Sequence, residues 1–297
     1  MNRRFVAALI LSVAAFTMAP VLSEAKSHPR PVSAAPFFFI QMTDPQFGMF
    51  QADTSFEQET ANFELAIATA NRLHPAFVII TGDLINKPGD PAQAAEYWRI
   101  ARKLDPGIPL YNVAGNHDVG NTPTPASVAT YVKLFGPDHY VFRYGDFTGI
   151  VLNSTVIDSS IAVPNEFAAQ ERWLGAQLAD AQRSGARHIV VFQHHPWFLK
   201  DANEPDQYFN IPLIHRARYL AMFHRFGVEA LFSGHYHQNS VAADGKIQAV
   251  TTGPVGMPFG DVPQSGIRIV VVTDIGITHR YYGFENLPAR FAAQPRR

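Results

Sequence analysis

The chain contains no cysteine. That excludes disulfides, thiolate metal ligands and lipid attachment through an N-terminal Cys. An excess of charge of either sign is also missing. Lys and Arg number 24 against 25 Asp and Glu, a formal net charge of −1. Such a balance generates no field for gathering nucleic acid or an anionic membrane, so no nucleic-acid partner is expected. The apolar stretch 5–19 is too short for a comfortable membrane span. It follows Arg3 and Arg4, and Ser23-Glu24-Ala25 offers small residues at the two positions a signal peptidase reads. Residues 1–25 are therefore expected to be a signal peptide, directing the chain to the periplasm or outside the cell, with no stable membrane association after cleavage. Loss of Arg3, Arg4 and Glu24 with it leaves a formal charge of −2. Residues 26–36, rich in Pro, Ser and Ala, read as a flexible lead-in. Neither an internal repeat nor a low-complexity linker interrupts the remainder. Residues 37–297 are expected to form a single domain, and a chain that is 47% hydrophobic has ample core for one.

What is present is an alternation of short apolar runs and helical periodicity. Residues 37–43 read as a buried strand, stopped at Asp44-Pro45 because Pro45 has no ladder donor. Residues 56–73 place Phe63, Ile67 and Ala70 at helical spacing. A strand at 76–81 runs into Gly82-Asp83, a helix follows at 91–104, and a strand at 108–114 runs into Gly115-Asn116-His117-Asp118. This strand–helix–strand–helix–strand order implies a parallel sheet with right-handed crossovers. A helix is expected up to Phe135, then a hairpin of 139–144 and 148–154 around Gly145-Asp146. Helix 167–183 precedes a strand at 188–193 that ends in His194-His195-Pro196. After a polar loop, 199–209, helix 211–226 stops at Gly227 and strand 228–233 ends in Gly234-His235-Tyr236-His237. Three further strand-like runs follow, at 247–252, 266–273 and 277–282.

Five strand ends thus carry Asp44, Asp83, Asn116 with His117, His194, and His235 with His237. Ligands of open α/β sheets bind at the carboxyl ends of strands. The donors are oxygen and imidazole without sulfur, a set suited to Mn, Fe, Zn or Ni rather than Cu(I) or an iron–sulfur cluster. They outnumber the ligands of one closed zinc site. Two ions sharing a carboxylate fit the count, and such pairs activate water and clamp phosphoryl oxygens. His195 competes with His194 for its place. His74, His139, His188, His215, His224 and His279 lack motif context and read as structural. Phe47, Trp197, Phe198, Tyr208, Phe209 and Phe259 fall near the expected rim, as cleft wall or as core. Lys200 reads as a solvated loop residue.

The ordered motifs Asp-x-x, Gly-Asp, Gly-Asn-His-Asp, His-x-Pro and Gly-His-x-His resemble those of the calcineurin-like metallophosphoesterases, from about residue 38 to about residue 284. Each motif alone is weak; five in this order are specific. The resemblance implies an α/β fold, a four-layer α/β/β/α sandwich of mixed β-sheets. It implies two divalent ions, Mn, Fe or Zn. By position, Asp83 bridges them, Asp44 and His237 hold the first, and Asn116, His194 and His235 hold the second. His117 then faces the phosphate, together with Asn116, as stabiliser or as acid to the leaving oxygen, and Asp118 orients His117. A hydroxide between the ions is the implied nucleophile. The chain departs from most of the family at Gln46, where a His is usual; the amide is a weaker ligand for the first ion. The substrate implied is a phosphorylated one, a serine/threonine phosphoprotein or a small phosphoester. The alternative is an exported, metal-stabilised binding protein with little turnover, against which the intact His117 argues. An exonuclease role lacks a basic groove.

Overall fold

The computed structural model describes residues 35–260 and 264–293. The expected signal peptide, and all of the lead-in before Ala35, lie outside the described residues. Two mixed sheets form the centre. The first has the order β11-β10-β1-β2-β3, built from β1 (Phe37–Met42), β2 (Val78–Ile80), β3 (Leu110–Asn112), β10 (Gly266–Thr273) and β11 (Gly276–Gly283). Strands β1, β2 and β3 are parallel, while β10 pairs antiparallel with β1, Phe37 opposite Val272. The second has the order β4-β5-β6-β7-β9-β8, from β4 (Tyr140–Tyr144), β5 (Phe147–Val151), β6 (His188–Phe192), β7 (Val228–Ser233), β8 (Ser240–Asp244) and β9 (Ile247–Thr251). Its inner strands β5, β6, β7 and β9 run parallel; the edges β4 and β8 are antiparallel.

The period-two alternation of side chains decides the layers. In β1, Phe37 and Phe39 point between the sheets and meet Phe147, Phe192 and Phe232. Phe38, Ile40 and Met42 point outward, to α1 (Glu57–Leu73), α2 (Pro91–Ala101) and α4 (Pro125–Phe135). A strand buried on both faces has no polar side, which is why Phe-Phe-Phe-Ile reads as one continuous apolar run. The outer face of the second sheet, Ile150, Ile189, Val191 and Leu231, is covered by α5 (Thr155–Asp158), α6 (Pro164–Arg183) and α7 (Leu213–Phe226). The result is the α/β/β/α sandwich expected. Phe39 sits at the middle of the inner layer, stacked on Phe77 at 4.6 Å and edge-on to Phe192 and Phe232 at 5.8 Å each. Its full burial contributes on the order of 2–3 kcal/mol.

Besides two short helical turns, α5 and residues 284–286, two elements differ from the reading of the sequence. Residues 240–244, Ser-Val-Ala-Ala-Asp, carry one β-branched residue and no aromatic, yet they pair with β9 as an edge strand with Val241 exposed. Cross-strand pairing supplies what propensity does not. Residues 116–119 form a one-turn helix, α3 (Asn116–Val119), whose Asp118 side chain accepts from the Gly115 backbone N–H at 2.8 Å.

Candidate metal centre

Each motif begins where a strand stops. Asp44 lies two residues beyond β1, Asp83 three beyond β2, and Asn116 four beyond β3; His194 and His235 lie two beyond β6 and β7. The two sheets are stitched together at these ends. Gln41 Nε2 donates across to Ser233 O at 3.0 Å, His235 N donates to Asp44 Oδ2 at 3.1 Å, and His194 Nδ1 bonds Thr81 O at 2.9 Å. One rim therefore gathers the donors of both sheets.

Asp83, His194 and His235 each present a ligating atom, and these atoms lie within 4.8 Å of one another; Asp44, Asp83 and His237 make a second such group. Asp83 is common to both. All five residues are buried. His194 Nε2 lies 3.2 Å from Asp83 Oδ2, 4.0 Å from Asp44 Oδ1 and 2.9 Å from Asn116 Oδ1. His237 Nε2 lies 3.3 Å from Asp44 Oδ1. The far nitrogen of each ring is held by a backbone carbonyl: His194 Nδ1 by Thr81 O, His235 Nε2 by Tyr208 O, His237 Nδ1 by Met257 O. A carbonyl only accepts, so each of these nitrogens carries a proton and the ring's other nitrogen is the one available to an ion.

The residues fit a pair of cations. Asp44 and Asp83 are almost wholly inaccessible to water, and neither pairs with Lys or Arg among the described residues. Asp44 Oδ1 and Gln46 Oε1 are buried without any hydrogen-bond partner, a costly state for polar atoms unless something else meets them. Gln46 Nε2 donates to Asn86 Oδ1 at 3.2 Å, which leaves that Oε1 as its free end. The histidines answer the same field in opposite ways. For His194, burial pulls the pKa down, but the charge and hydrogen bond of Asp83 outweigh it and raise it to about 9. For His235, burial dominates, aided by His194, and lowers it to about 4. Burial alone would raise Asp83; the charge of His194 and its hydrogen bond bring it below its usual range.

Backbone geometry at the site is unusual. Asp44, Gln46, Asp83, His235 and His237 all have positive φ, between 43° and 66°. Such left-handed conformations cost a non-Gly residue roughly 1–2 kcal/mol each. Glycines beside them allow close approach: a Cβ on Gly115 would lie 2.2 Å from both the backbone N and the Oδ1 of Asp83, and one on Gly234 would lie 2.5 Å from Asp44 Oδ2.

His117 is half-buried at the edge of this cluster. Its backbone N donates to Asp83 Oδ1 at 2.8 Å, and its ring Nδ1 bonds the Asn86 carbonyl at 2.8 Å. The expected pairing of Asp118 with the His117 ring is corrected here. Asp118 Oδ1 instead accepts from the backbone N of Leu84 and Ile85, and Oδ2 from that of Gly115. Three backbone donors engage both of its oxygens, so it braces the loop that carries Asp83. His195 stands outside both ligating groups. Its Nδ1 bonds Ser154 Oγ at 2.9 Å, while burial and the neighbouring His235 and His194 keep its pKa well below the ordinary value. The six rim aromatics divide. Phe47, Trp197 and Phe198 are core; Tyr208 and Phe209 lie against His235, and Phe259 stacks on His237 at 4.4 Å. Asn121, whose Oδ1 accepts from Asn116 Nδ2 at 2.9 Å, had no motif to signal it. Nor did the carbonyls that hold the imidazoles.

Residues 39–239 match the family described as calcineurin-like phosphoesterase. The chain belongs to that family. The family uses a dinuclear metal centre, and by its membership and its phosphatase relatives this chain is a phosphatase hydrolase. Serine/threonine-protein phosphatase CPPED1 of Bos taurus is 38% identical to it over 267 residues, 85% of this chain and 85% of that protein. The Homo sapiens protein of the same name is 37% identical over 268 residues, with the same two shares. Among solved calcineurin-like folds, a dimetal phosphatase from Danio rerio superposes with a TM-score of 0.57 at 15% identity, covering 83% of this chain and 99% of that one. That last likeness concerns the fold alone.

Proposed function

We propose that the chain hydrolyses phosphoesters at a two-ion centre in which Asp83 is the shared ligand. Asp44, Gln46 and His237 complete the first ion's set; Asn116, His194 and His235 complete the second. The observation that carries this reading is the pair of ligating groups overlapping at Asp83, with unpartnered buried oxygens beside them. Bound there, two divalent ions supply positive charge to offset that of a phosphoryl group and lower the pKa of a water. The chain's own part is positional and protic. The His117 backbone N–H holds one oxygen of Asp83, and the three carbonyls hold the ligand imidazoles in one tautomer. With Nδ1 engaged by Asn86 O, the proton that His117 exchanges with a leaving oxygen is the one on Nε2.

The serine/threonine-protein phosphatase relatives favour phosphoserine and phosphothreonine in proteins as substrate. Export, expected from residues 1–25, favours small phosphoesters instead, and mass spectrometry of the mature N-terminus checks it. The deciding assay is turnover of p-nitrophenyl phosphate, bis-p-nitrophenyl phosphate and phosphoserine peptides by protein stripped with chelator and reloaded with Mn, Fe or Zn. Asp83→Asn runs in parallel. Metal-dependent turnover that Asp83→Asn abolishes is the expected result, and the preferred ester names the substrate class. Folded, reloaded protein with no turnover of any ester would refute the proposal in favour of a binding protein.

A further inference from the structure

The first ion's ligand set includes an amide, and an amide can present either an oxygen or an NH2 group. The structure contains a device that makes this choice. Gln93 is buried, and its Oε1 accepts from the backbone N of Asn86 at 3.0 Å and of Lys87 at 2.9 Å. With its oxygen occupied, Gln93 turns Nε2 to Asp53 Oδ1, 2.7 Å away. The same Asp53 oxygen accepts from Asn86 Nδ2 at 2.9 Å. A carboxylate can only accept, so Asn86 must face Asp53 with its NH2 and turn Oδ1 inward. Gln46 Nε2 donates to that Oδ1 at 3.2 Å, and Gln46 Oε1 is left buried and unpartnered.

We propose that Asp53, Asn86 and Gln46 form a polarity relay that fixes Gln46 as an oxygen donor to the first ion, with Asn86 and Asp53 as positioning residues for that site. The proposal rests on the two-ion reading above. Without the relay, the Gln46 amide has two orientations related by a half-turn. One of them aims an NH2 group, which has no lone pair to give, at a cation. The contact of His117 with Asn86 uses the backbone carbonyl and does not depend on the Asn86 side chain. The side chain can therefore be changed while the proton-transfer residue stays held.

The test is titration of chelator-stripped, folded protein with MnCl2 by isothermal calorimetry, on wild type, Asn86→Leu, Asn86→Asp and Asp53→Ala. Wild type is expected to bind two ions. Asn86→Leu removes the acceptor and should weaken one ion about tenfold to a hundredfold, the usual loss for an outer-shell partner. Asn86→Asp keeps an oxygen toward Gln46 but loses the bond to Asp53, so it should weaken the same ion by less than Asn86→Leu does; an equal loss would count against the acceptor role of position 86. Repeating the pair in a His235→Ala background, which lacks a ligand of the second ion, should show the same loss on the single ion left. Asp53 is exposed, so Asp53→Ala tests the relay without threatening the core; it should weaken the same ion about threefold or more. Two ions bound with unchanged affinities in Asn86→Leu, or in Asp53→Ala should Asn86→Leu not fold, would overturn the relay and leave the two-ion reading standing. Fewer than two ions on wild type would overturn that reading, and the relay with it.

Discussion

Gly115→Ala isolates the contact on which the centre's geometry depends. An added methyl would lie 2.2 Å from the backbone N of Asp83 and 2.2 Å from its Oδ1, where ordinary contact begins near 3.4 Å. A shift of about 1 Å is therefore needed. No rotamer change can supply it, because one of the two atoms is backbone. That backbone is itself engaged, since Asp83 O accepts from Gln46 N at 2.9 Å and the neighbouring N–H groups of Leu84 and Ile85 are held by Asp118. Overpacking of this kind costs about 1–3 kcal/mol. For a chain of this size that lowers Tm by roughly 2–5 °C. The larger effect is on catalysis, because a misplacement of about 1 Å at the reacting centre costs on the order of 100-fold in kcat/KM. The assay pairs calorimetric Tm with kcat/KM on p-nitrophenyl phosphate. Gly175→Ala serves as control: a Cβ there meets nothing within 4 Å in α6, so it should stabilise by about 0.5–1 kcal/mol and leave activity alone. If Gly115→Ala kept kcat/KM within about threefold of wild type, the argument that this glycine sets the position of Asp83 would fail.

His117→Ala should lower kcat by about 10²–10⁴ while ion stoichiometry stays at wild-type level, since the backbone N–H to Asp83 survives; a loss under about tenfold would remove His117 from proton transfer. Arg216, fully buried, donates to the carbonyls of Ile211, Ala202 and Glu204 and so ties down the loop that carries Tyr208. Arg216→Ala strands those acceptors, and a loss of about 2–4 kcal/mol in urea unfolding, with faster tryptic cleavage at Lys200, is expected. Unchanged cleavage would mean the loop is held by other contacts. Burial, with the charge of Arg268, holds the His279 pKa down to about 4 from 6.5. The unfolded chain therefore takes up a proton near pH 6.5 that the native state refuses until about pH 4, so His279 subtracts stability as pH falls through that window and does nothing above it. His279→Gln should then look less destabilising at pH 4.5 than at pH 7.5 in urea titrations, and a pH-independent difference would contradict the assignment.

The residues that gather at the rim were legible because a fully buried strand leaves an unmistakable apolar run and its end is where the polar residues start. Asp44, Asp83, Asn116, His194 and His235 all follow such runs within four residues. The strands themselves were legible, but not all their neighbours. That β10 inserts beside β1 depends on pairing Phe37 with Val272, across most of the chain, and nothing local encodes it. β8 was invisible because an exposed edge strand needs no apolar face. The roles of Asp118 and Asn86 were hidden for a different reason. Adjacency in a motif suggested that Asp118 serves His117, whereas the one-turn helix sends neighbouring side chains in different directions and gives the ring to a backbone carbonyl. Backbone acceptors such as Thr81 O and Met257 O have no residue signature at all.

The five left-handed candidate ligands carry a consequence for how the protein trades robustness against activity. At each of these positions glycine would relax the backbone by roughly 1 kcal/mol. At Asp44 and Asp83 it would also remove a buried carboxylate whose ion-pairing neighbours among the described residues are only the histidines His237 and His194. That relief is set against the bonds the carboxylates accept from His235 N and His117 N, so ion-free protein should lose little stability from substitutions at these positions. Selection for a sturdier fold alone would favour glycine at such positions, and Asp, Gln and His there point to a chain held to its task rather than to its own stability.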